Sequence, residues 1–484
     1  VSSRLCGISF FATKTQRLKV TLSIHQRFVY QYLIYRTHVN ITILYVMMNC
    51  NSKIVIKQIS LVVLLALVIS GCQQPHISLS ERLETLPDAE IILIEPDTLF
   101  KSAYEIHIAQ PLDHKDPNGE TFYQRIYISH IDSTRPVVFV TEGYDADYNY
   151  TTELSRLLNC NQIVVEHRYF GESVPDSMNW QYLTIEQAAN DHHRIIQLFK
   201  KVYKGKWISS GISKGGQTTM YHRYYFPKDV DVSIPYVAPL NFSVEDTRVY
   251  DFLRSVGTEK CRQKIYDFQE LILKRKNTYF PMFLERSKNK SYTYRIGEEQ
   301  AFEYSVLEYS FAFWQYGRWD CWEIPDSSWT NEEIFDHFSN VSDFKYFSDQ
   351  GIKKLEPFFY QAMTEIGFYG YDFSEFNGLL TAVKNPLFTF SAPENVELVY
   401  NDQIIFEVND YIQNEGNNFI FIYGETDTWS STAVQLTGKT NALKMVKKGG
   451  SHATRIRNMS DEEKELVLST LEEMLGIEIN RSRI

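Results

Sequence analysis

The sequence predicts an α/β protein: a doubly wound, mostly parallel sheet carrying an inserted, mainly helical domain. Three observations predict it. Short runs rich in Val, Ile and Phe are apolar almost throughout, as strands buried on both faces are. Segments with helical spacing of their apolar residues separate these runs. An aromatic-rich, mostly helical stretch over residues 244–401 parts the last two runs from the rest, and it is far too long for a loop.

Residues 1–71 hold eight Lys or Arg and no Asp or Glu, which leaves 41 basic against 60 acidic groups over the other 413 residues, a formal charge of −19. Lys53 and Lys57 precede an uncharged apolar run over 58–71 (QISLVVLLALVISG) that stops at Cys72. Fourteen residues fall short of the ~20 that a membrane-spanning helix needs, so the run reads as an export signal; an uncleaved anchoring helix is the alternative. Ile69-Ser70-Gly71-Cys72 resembles the lipobox of bacterial lipoproteins, which implies lipidation of Cys72. Residues 1–46 then read as an over-extended start, 47–71 as the signal and 72–88 as a polar tether. By analogy with lipoprotein sorting, Gln73 implies the outer membrane.

The α/β portion is expected over 89–243 and 402–484. Alternation at Tyr104, Ile106, Ile108 and at Phe122, Ile126, Ile128 predicts an antiparallel edge. Buried strands are expected at 137–141 (VVFVT), 162–166 (QIVVE), 207–211 (WISSG), 232–237 (VSIPYV), 419–423 (FIFIY) and 443–446 (LKMV). An amphipathic crossover helix is expected over 186–203, another helix over 217–226 stopped by Pro227, and a third over 298–316. An insertion at the carboxyl ends of parallel strands covers the place where such sheets bind ligands, so residues 244–401 are expected to cap a cleft.

Of the cysteines past the signal, Cys72 is the lipidation site, and Cys160, Cys261 and Cys321 remain. At most one disulfide can form within the chain; Cys261 with Cys321 is the candidate pair, and buried thiols are the alternative. No cofactor is expected: no Cys-x-x-Cys or nucleotide motif occurs, and His192-His193 has no matching cluster for a metal. Nucleic acid is an unsuitable partner for a chain at −19.

Gly211-Ile212-Ser213-Lys214-Gly215 matches Gly-x-Ser-x-Gly, a sharp strand-to-helix turn that lifts a serine into reach of substrate. A serine hydroxyl needs an imidazole to take its proton, and the imidazole needs a carboxylate to hold its tautomer. In the α/β-hydrolase fold these follow in the order Ser, acid, His. Asp427 lies just past the strand at 419–423, and His452 lies past the strand at 443–446 as the sole histidine after His337. Glu425 is the fallback acid. Exposed-loop and turn-capping roles are the structural alternatives for His452 and Asp427. The oxyanion donors are expected to be the Lys214 amide and either Tyr144 or Gly143 from the loop after 137–141. The Lys214 side chain is expected to be exposed or paired.

Several blocks together resemble the bacterial secreted tripeptidyl aminopeptidases, serine exopeptidases related to lysosomal Pro-X carboxypeptidase: VEHRYFGES at 165–173, QAANDH at 187–192, WISSGISKGG at 207–216, YVAP at 236–239 and VLEYSFAFW at 306–314. The resemblance spans most of residues 90–475. It implies release of short peptides, often with proline before the cleaved bond, from free N-termini, with Ser213, Asp427 and His452 as nucleophile, acid and base. The relatives typically have Asp-Pro-Trp where this chain has Asp427-Thr428-Trp429, a departure that bears on loop geometry. An aminopeptidase must also neutralise an ammonium. Glu142 is the expected anchor among Glu142, Asp145 and Glu166, with turn stabilisation as its alternative; Glu166 and Arg168 are expected to pair internally beneath the site. Trp314 and Trp429, with Trp319 and Trp322, are candidates to wall a proline pocket, core packing being the alternative. An esterase or lipase, and a non-catalytic binding protein on the same scaffold, are the competing functions.

Overall fold

The computed structural model describes residues 78–483. The expected start, export signal and Cys72 lie outside these residues. From Leu79 on, the chain forms one compact unit.

A short helix, α1 (Leu79–Leu83), stands in the stretch expected to be a plain tether. Nine strands then build one sheet in the order β1-β2-β3-β5-β4-β6-β7-β8-β9. The first three, β1 (Ala89–Ile94), β2 (Ser102–Pro111) and β3 (Thr121–His130), pair antiparallel, and β3 pairs antiparallel with β5. The rest run parallel: β4 (Val137–Thr141), β5 (Asn161–Val165), β6 (Trp207–Ile212), β7 (Val232–Tyr236), β8 (Ile420–Gly424) and β9 (Leu443–Lys447). Every expected strand is present within a residue or so at each end, and the strand order is that of the α/β-hydrolase fold.

The apolar runs are continuous because both faces are covered. Along β4, Val137 and Phe139 face one layer, where Ile195, Ile196 and Phe199 of α3 (Ile185–Phe199) pack. Val138 and Val140 face the other, against Leu154 and Leu157 of α2 (Glu153–Leu158) and Val467, Leu468 and Leu471 of α12 (Asp461–Leu475). Thr184 caps α3 by accepting from the Gln187 amide, and a Ser460/Glu463 capping box opens α12.

The helix after Ser213, α4 (Lys214–Tyr225), begins at the next residue rather than at the expected 217. Ser213 is its N-cap, so the strand passes into the helix with no intervening loop.

Between β7 and β8 the chain builds α5 (Arg248–Ser255), α6 (Glu259–Lys274), α7 (Lys276–Asn289), α8 (Glu298–Tyr316), α9 (Asn331–Val341) and α10 (Asp349–Gln361), then returns through α11 (Gln403–Asn414). Cys261 at the start of α6 is disulfide-bonded to Cys321 just past α8, while Cys160 is a buried free thiol. The insertion's aromatic core runs without a break into Met220 and Tyr221 of α4 and Phe421 and Tyr423 of β8. One core therefore serves both the helical part and one face of the sheet.

Candidate active site

Ser213 sits where β6 meets α4 with φ 56° and ψ −122°, a conformation that L residues rarely adopt. Such strain costs on the order of 1–3 kcal/mol and persists only where the surroundings enforce it. Two glycines do so. A Cβ on Gly211 would lie 2.2 Å from the Gly215 carbonyl oxygen, and one on Gly215 would lie 2.6 Å from that of Thr141. With no side chains at either position, β4, β6 and the helix start close together. Thr141 fastens the contact by donating its hydroxyl to the Gly215 carbonyl at 2.9 Å.

Asp427 and His452 meet as expected. Asp427 follows β8, its side chain fully buried, and its Oδ2 lies 2.8 Å from Nδ1 of His452, whose side chain is 15% exposed. Asp427 Oδ1 accepts from the Trp429 amide at 3.2 Å. Glu425, the fallback acid, points elsewhere and accepts from the Gly449 amide at 2.7 Å. Among the described residues no hydrogen bond joins Ser213 to His452; such contacts often tighten only when substrate is bound.

The departure at Thr428 leaves this pair intact. Thr428 is buried, and its hydroxyl donates to the Phe311 carbonyl of α8 at 2.9 Å. The His452 amide donates to the Gln315 carbonyl of the same helix at 2.8 Å. Arg455 donates from Nη1 to the His452 and Thr454 carbonyls. The helical insertion thus grips the loops of both residues.

The Lys214 side chain is not exposed and meets no carboxylate within hydrogen-bond distance, contrary to expectation. It is 3% exposed, and its Nζ donates to the Gly143 carbonyl at 2.7 Å, over the rings of Tyr144 and Phe170. Burial pushes this amine well below the ordinary lysine range, against an upward pull from Glu365. Glu365 is itself raised by burial to about 7. Gly143 presses onto the helix start, where a Cβ would come within 2.5 Å of the Gly215 nitrogen. The amide N–H groups of Tyr144 and Lys214 have no acceptor among the described residues.

A pocket of about 20 Å³ adjoins Ser213, walled by Tyr144, Asn241, Phe358, Ile366, Phe368 and Trp429 among others. Tyr144, Phe358, Phe368 and Trp429 form a chain of ring contacts with centroids 5.3–5.6 Å apart. Of the tryptophans considered, Trp429 alone reaches this pocket. Trp314 lies against Gly257 and lines a separate cavity of about 580 Å³ within the insertion; Trp319 packs near His337, and Trp322 is 73% exposed. Phe358, Phe368 and Asn241 carry no local signal in the sequence, since the insertion and the turn after β7 bring them here. Asn241 donates through Nδ2 to the Gly367 carbonyl, while its buried Oδ1 has no partner among the described residues.

The Glu142 carboxylate accepts from the Tyr150 hydroxyl. Burial raises it to about 7, with Asp145 and Glu166 adding to the rise and the Tyr150 hydrogen bond opposing it. Asp145 pairs with Lys354 of α10 at 2.9 Å. Glu166 and Arg168 are internal, but not with each other. Glu166 holds Arg125 at 2.5 Å and the amides of Ala146 and Glu172, and Arg168 grips Asp191 through Nε and Nη2 at 2.7 and 2.8 Å.

Residues 73–478 match the family described as PS-10 peptidase S37. The chain belongs to the PS-10 peptidase S37 family, and it is a serine peptidase. Within this similarity it is 29% identical over 401 residues to the prolyl tri/tetrapeptidyl aminopeptidase of Streptomyces mobaraensis, a match covering 81% of this chain and 83% of the relative. It is 26% identical over 202 residues to the lysosomal Pro-X carboxypeptidase of Bos taurus, covering 37% and 40%. Among solved structures, the proline iminopeptidase of Mycobacterium smegmatis matches 76% of this S37 chain and 98% of its own length, at 14% identity and a TM-score of 0.38.

Proposed function

We propose that this peptidase is an exopeptidase that releases short peptides from free N-termini, cutting after proline by acyl-enzyme chemistry. Ser213 Oγ attacks the scissile carbonyl, His452 takes its proton and passes it to the leaving amine, and Asp427 holds the imidazole tautomer and steadies the cation. Water then repeats the sequence on the acyl-enzyme. The amides of Lys214 and Tyr144 receive the oxyanion. The observation that carries the reading is the strained Ser213 beneath an aromatic pocket, with the Asp427–His452 pair already formed. Similarity to the prolyl tri/tetrapeptidyl aminopeptidase of Streptomyces mobaraensis supports tri- or tetrapeptide release.

The aromatic walls suit a pyrrolidine ring, which offers apolar surface and no N–H. Asn241 favours a peptide over an acyl ester. Its buried, unpartnered Oδ1 needs a donor, and a peptide supplies backbone N–H groups where an acyl chain supplies none. Glu142 is proposed as the amine anchor, because an arriving ammonium stabilises a carboxylate that burial otherwise disfavours. The insertion, taken as residues 244–401, acts as the cap. At about 20 Å³ the pocket is smaller than a prolyl residue, and the reading assigns its widening to movement of the cap or of its aromatic walls.

A fluorophosphonate probe is expected to label Ser213, and mass spectrometry of a peptide library is expected to show short N-terminal fragments ending in proline. No labelling of folded enzyme, or faster turnover of acyl esters than of any peptide, would sink the reading. From the sequence we also propose export and lipid anchoring through Cys72, in the outer membrane. Cys72→Ala is expected to abolish palmitate labelling and release the protein into the soluble fraction; membrane retention without label would reject the anchor.

A further inference from the structure

The buried amine of Lys214 has no part in the proton transfers above. Its side chain runs beneath the loop that follows β4, and Nζ donates to the Gly143 carbonyl at 2.7 Å. That carbonyl belongs to the same peptide unit as the Tyr144 N–H. In a trans peptide the C=O and the N–H point in opposite directions. Drawing the carbonyl down onto Nζ therefore turns the Tyr144 N–H up and away from the amine. This N–H has no acceptor among the described residues, and Tyr144 lines the pocket that adjoins Ser213.

We propose that the Lys214 side chain is a positioning residue: by pinning the Gly143 carbonyl it fixes the Gly143–Tyr144 peptide in the one orientation that presents the Tyr144 N–H as an oxyanion donor.

The surroundings explain why a pin is needed. Gly143 has no side chain, because a Cβ would collide with the Lys214–Gly215 backbone, and a glycine-containing loop is free to turn its peptide planes. Backbone hydrogen bonds hold this loop on both sides, from the Glu142 N–H to the Val165 carbonyl and from the His167 N–H to the Tyr144 carbonyl, but neither uses the Gly143 carbonyl or the Tyr144 N–H, so the peptide unit between them is held by Lys214. The pin is also preorganised. Lys214 is the first residue of α4, so the helix that offers the Lys214 amide as one donor orients the other through the same residue's side chain. The rings of Tyr144 and Phe170 flank Nζ at 5.6 and 5.1 Å and close it off from water. Either protonation state of the amine keeps at least two N–H groups, so the hydrogen bond does not require a charge.

The inference rests on the peptidase reading, and its test separates the two. Lys214→Met keeps the stem and removes the donor. Loss of one oxyanion donor costs about 10²–10³ in kcat, and a misaimed donor less, so a ~10- to 100-fold fall in kcat with KM within about twofold is expected. Affinity for a peptidyl-prolyl boronate should fall in parallel, while binding of the product peptide should not change. A folded Lys214→Met enzyme with kcat within about threefold of the parent overturns the proposal, as does a rise in KM that matches the whole loss. The second measurement needs no variant: a crystal structure of the parent enzyme with the boronate. A boronate oxygen within hydrogen-bond distance of the Tyr144 nitrogen, with the Lys214–Gly143 contact kept, supports the role. A boronate bonded to Ser213 whose oxygens avoid Tyr144 overturns the Lys214 role and leaves the peptidase standing. A boronate that never bonds Ser213 overturns both.

Discussion

Replacing Asp427 by Asn isolates what the carboxylate does, because the change preserves volume in a fully buried site. His452 Nδ1 is 2.8 Å from Oδ2, which puts the centres of an imidazolium and a carboxylate roughly 4 Å apart. At an effective dielectric of about 20, that attraction is worth about 4 kcal/mol, or ~10³-fold in rate. The amide can also donate to Nδ1 and so select the wrong tautomer, which carries the expected loss toward ~10⁴-fold. The assay is kcat on a free-amine peptide with proline before the scissile bond, together with the rate of fluorophosphonate labelling and the melting temperature. Both rates should collapse while the fold persists. Glu425→Gln is the control, since Glu425 contacts the Gly449 amide and not the imidazole; its kcat should stay within about threefold. A folded Asp427→Asn enzyme that keeps a tenth or more of its activity would refute the assignment, and a larger loss in Glu425→Gln would transfer it.

Glu142→Gln keeps an acceptor for Tyr150 but cannot ionise. It should lower kcat/KM for free-amine peptides about 10- to 100-fold and spare their N-acetylated forms, from the loss of a charge-assisted hydrogen bond of about 1.5–3 kcal/mol. Equal losses on both would assign Glu142 to the turn. The parent's carboxyl is raised to about 7, so it is neutral below that pH, and amine capture should strengthen as pH rises through about 7. It should fade as the peptide's own amine deprotonates near ~8. The stability linkage has the opposite sign: a raised carboxyl holds its proton longer when folded, so its contribution falls between the ordinary 4.5 and about 7. Phe368→Ala opens the pocket and should cut the preference for proline over alanine before the scissile bond by about tenfold, read as a ratio of kcat/KM values; an unchanged ratio would remove Phe368 from the pocket. Replacing Cys261 and Cys321 by Ser frees a 60-residue separation, worth up to ~4 kcal/mol by chain entropy, and should speed hydrogen exchange in α6 and α8. Unaltered exchange there would mean that the aromatic core alone holds the insertion.

The strands and the Ser213, Asp427 and His452 positions were readable because each rests on a local pattern. A strand buried on both faces must be apolar at every position, and Ser213, Asp427 and His452 sit one short step past strand ends whose place in the sheet is set. The pocket was not readable that way. Phe358 and Phe368 belong to an insertion so rich in phenylalanine and tyrosine that no spacing separates a pocket wall from core, and nothing in the sequence separates Trp314 from Trp429. The Lys214 side chain departs from expectation for a related reason. A lysine is expected to be exposed or paired, and only the close approach of the Gly143 loop makes a buried hydrogen-bond partner for it.

Thr428 shows what such a departure can mean physically. A proline at this position would carry no hydroxyl and would stiffen the loop through its fixed φ. Threonine leaves the loop freer and instead bonds it to the Phe311 carbonyl of α8. Four residues further along α8, the Gln315 carbonyl accepts from His452. The loops of Asp427 and His452 thus hang from adjacent turns of one helix, and that helix belongs to the insertion proposed as the cap. If α8 itself swung away, the Asp427–His452 alignment would go with it. The other wall has its own ties: Phe358 packs on Tyr144, Lys354 pairs with Asp145, Tyr360 lies against Trp180, and Glu365 accepts from the Ile185 amide. On the proposed reading, an opening on the α10 side would leave both the Asp427–His452 pair and the Lys214–Gly143 contact in place, since neither draws on α10.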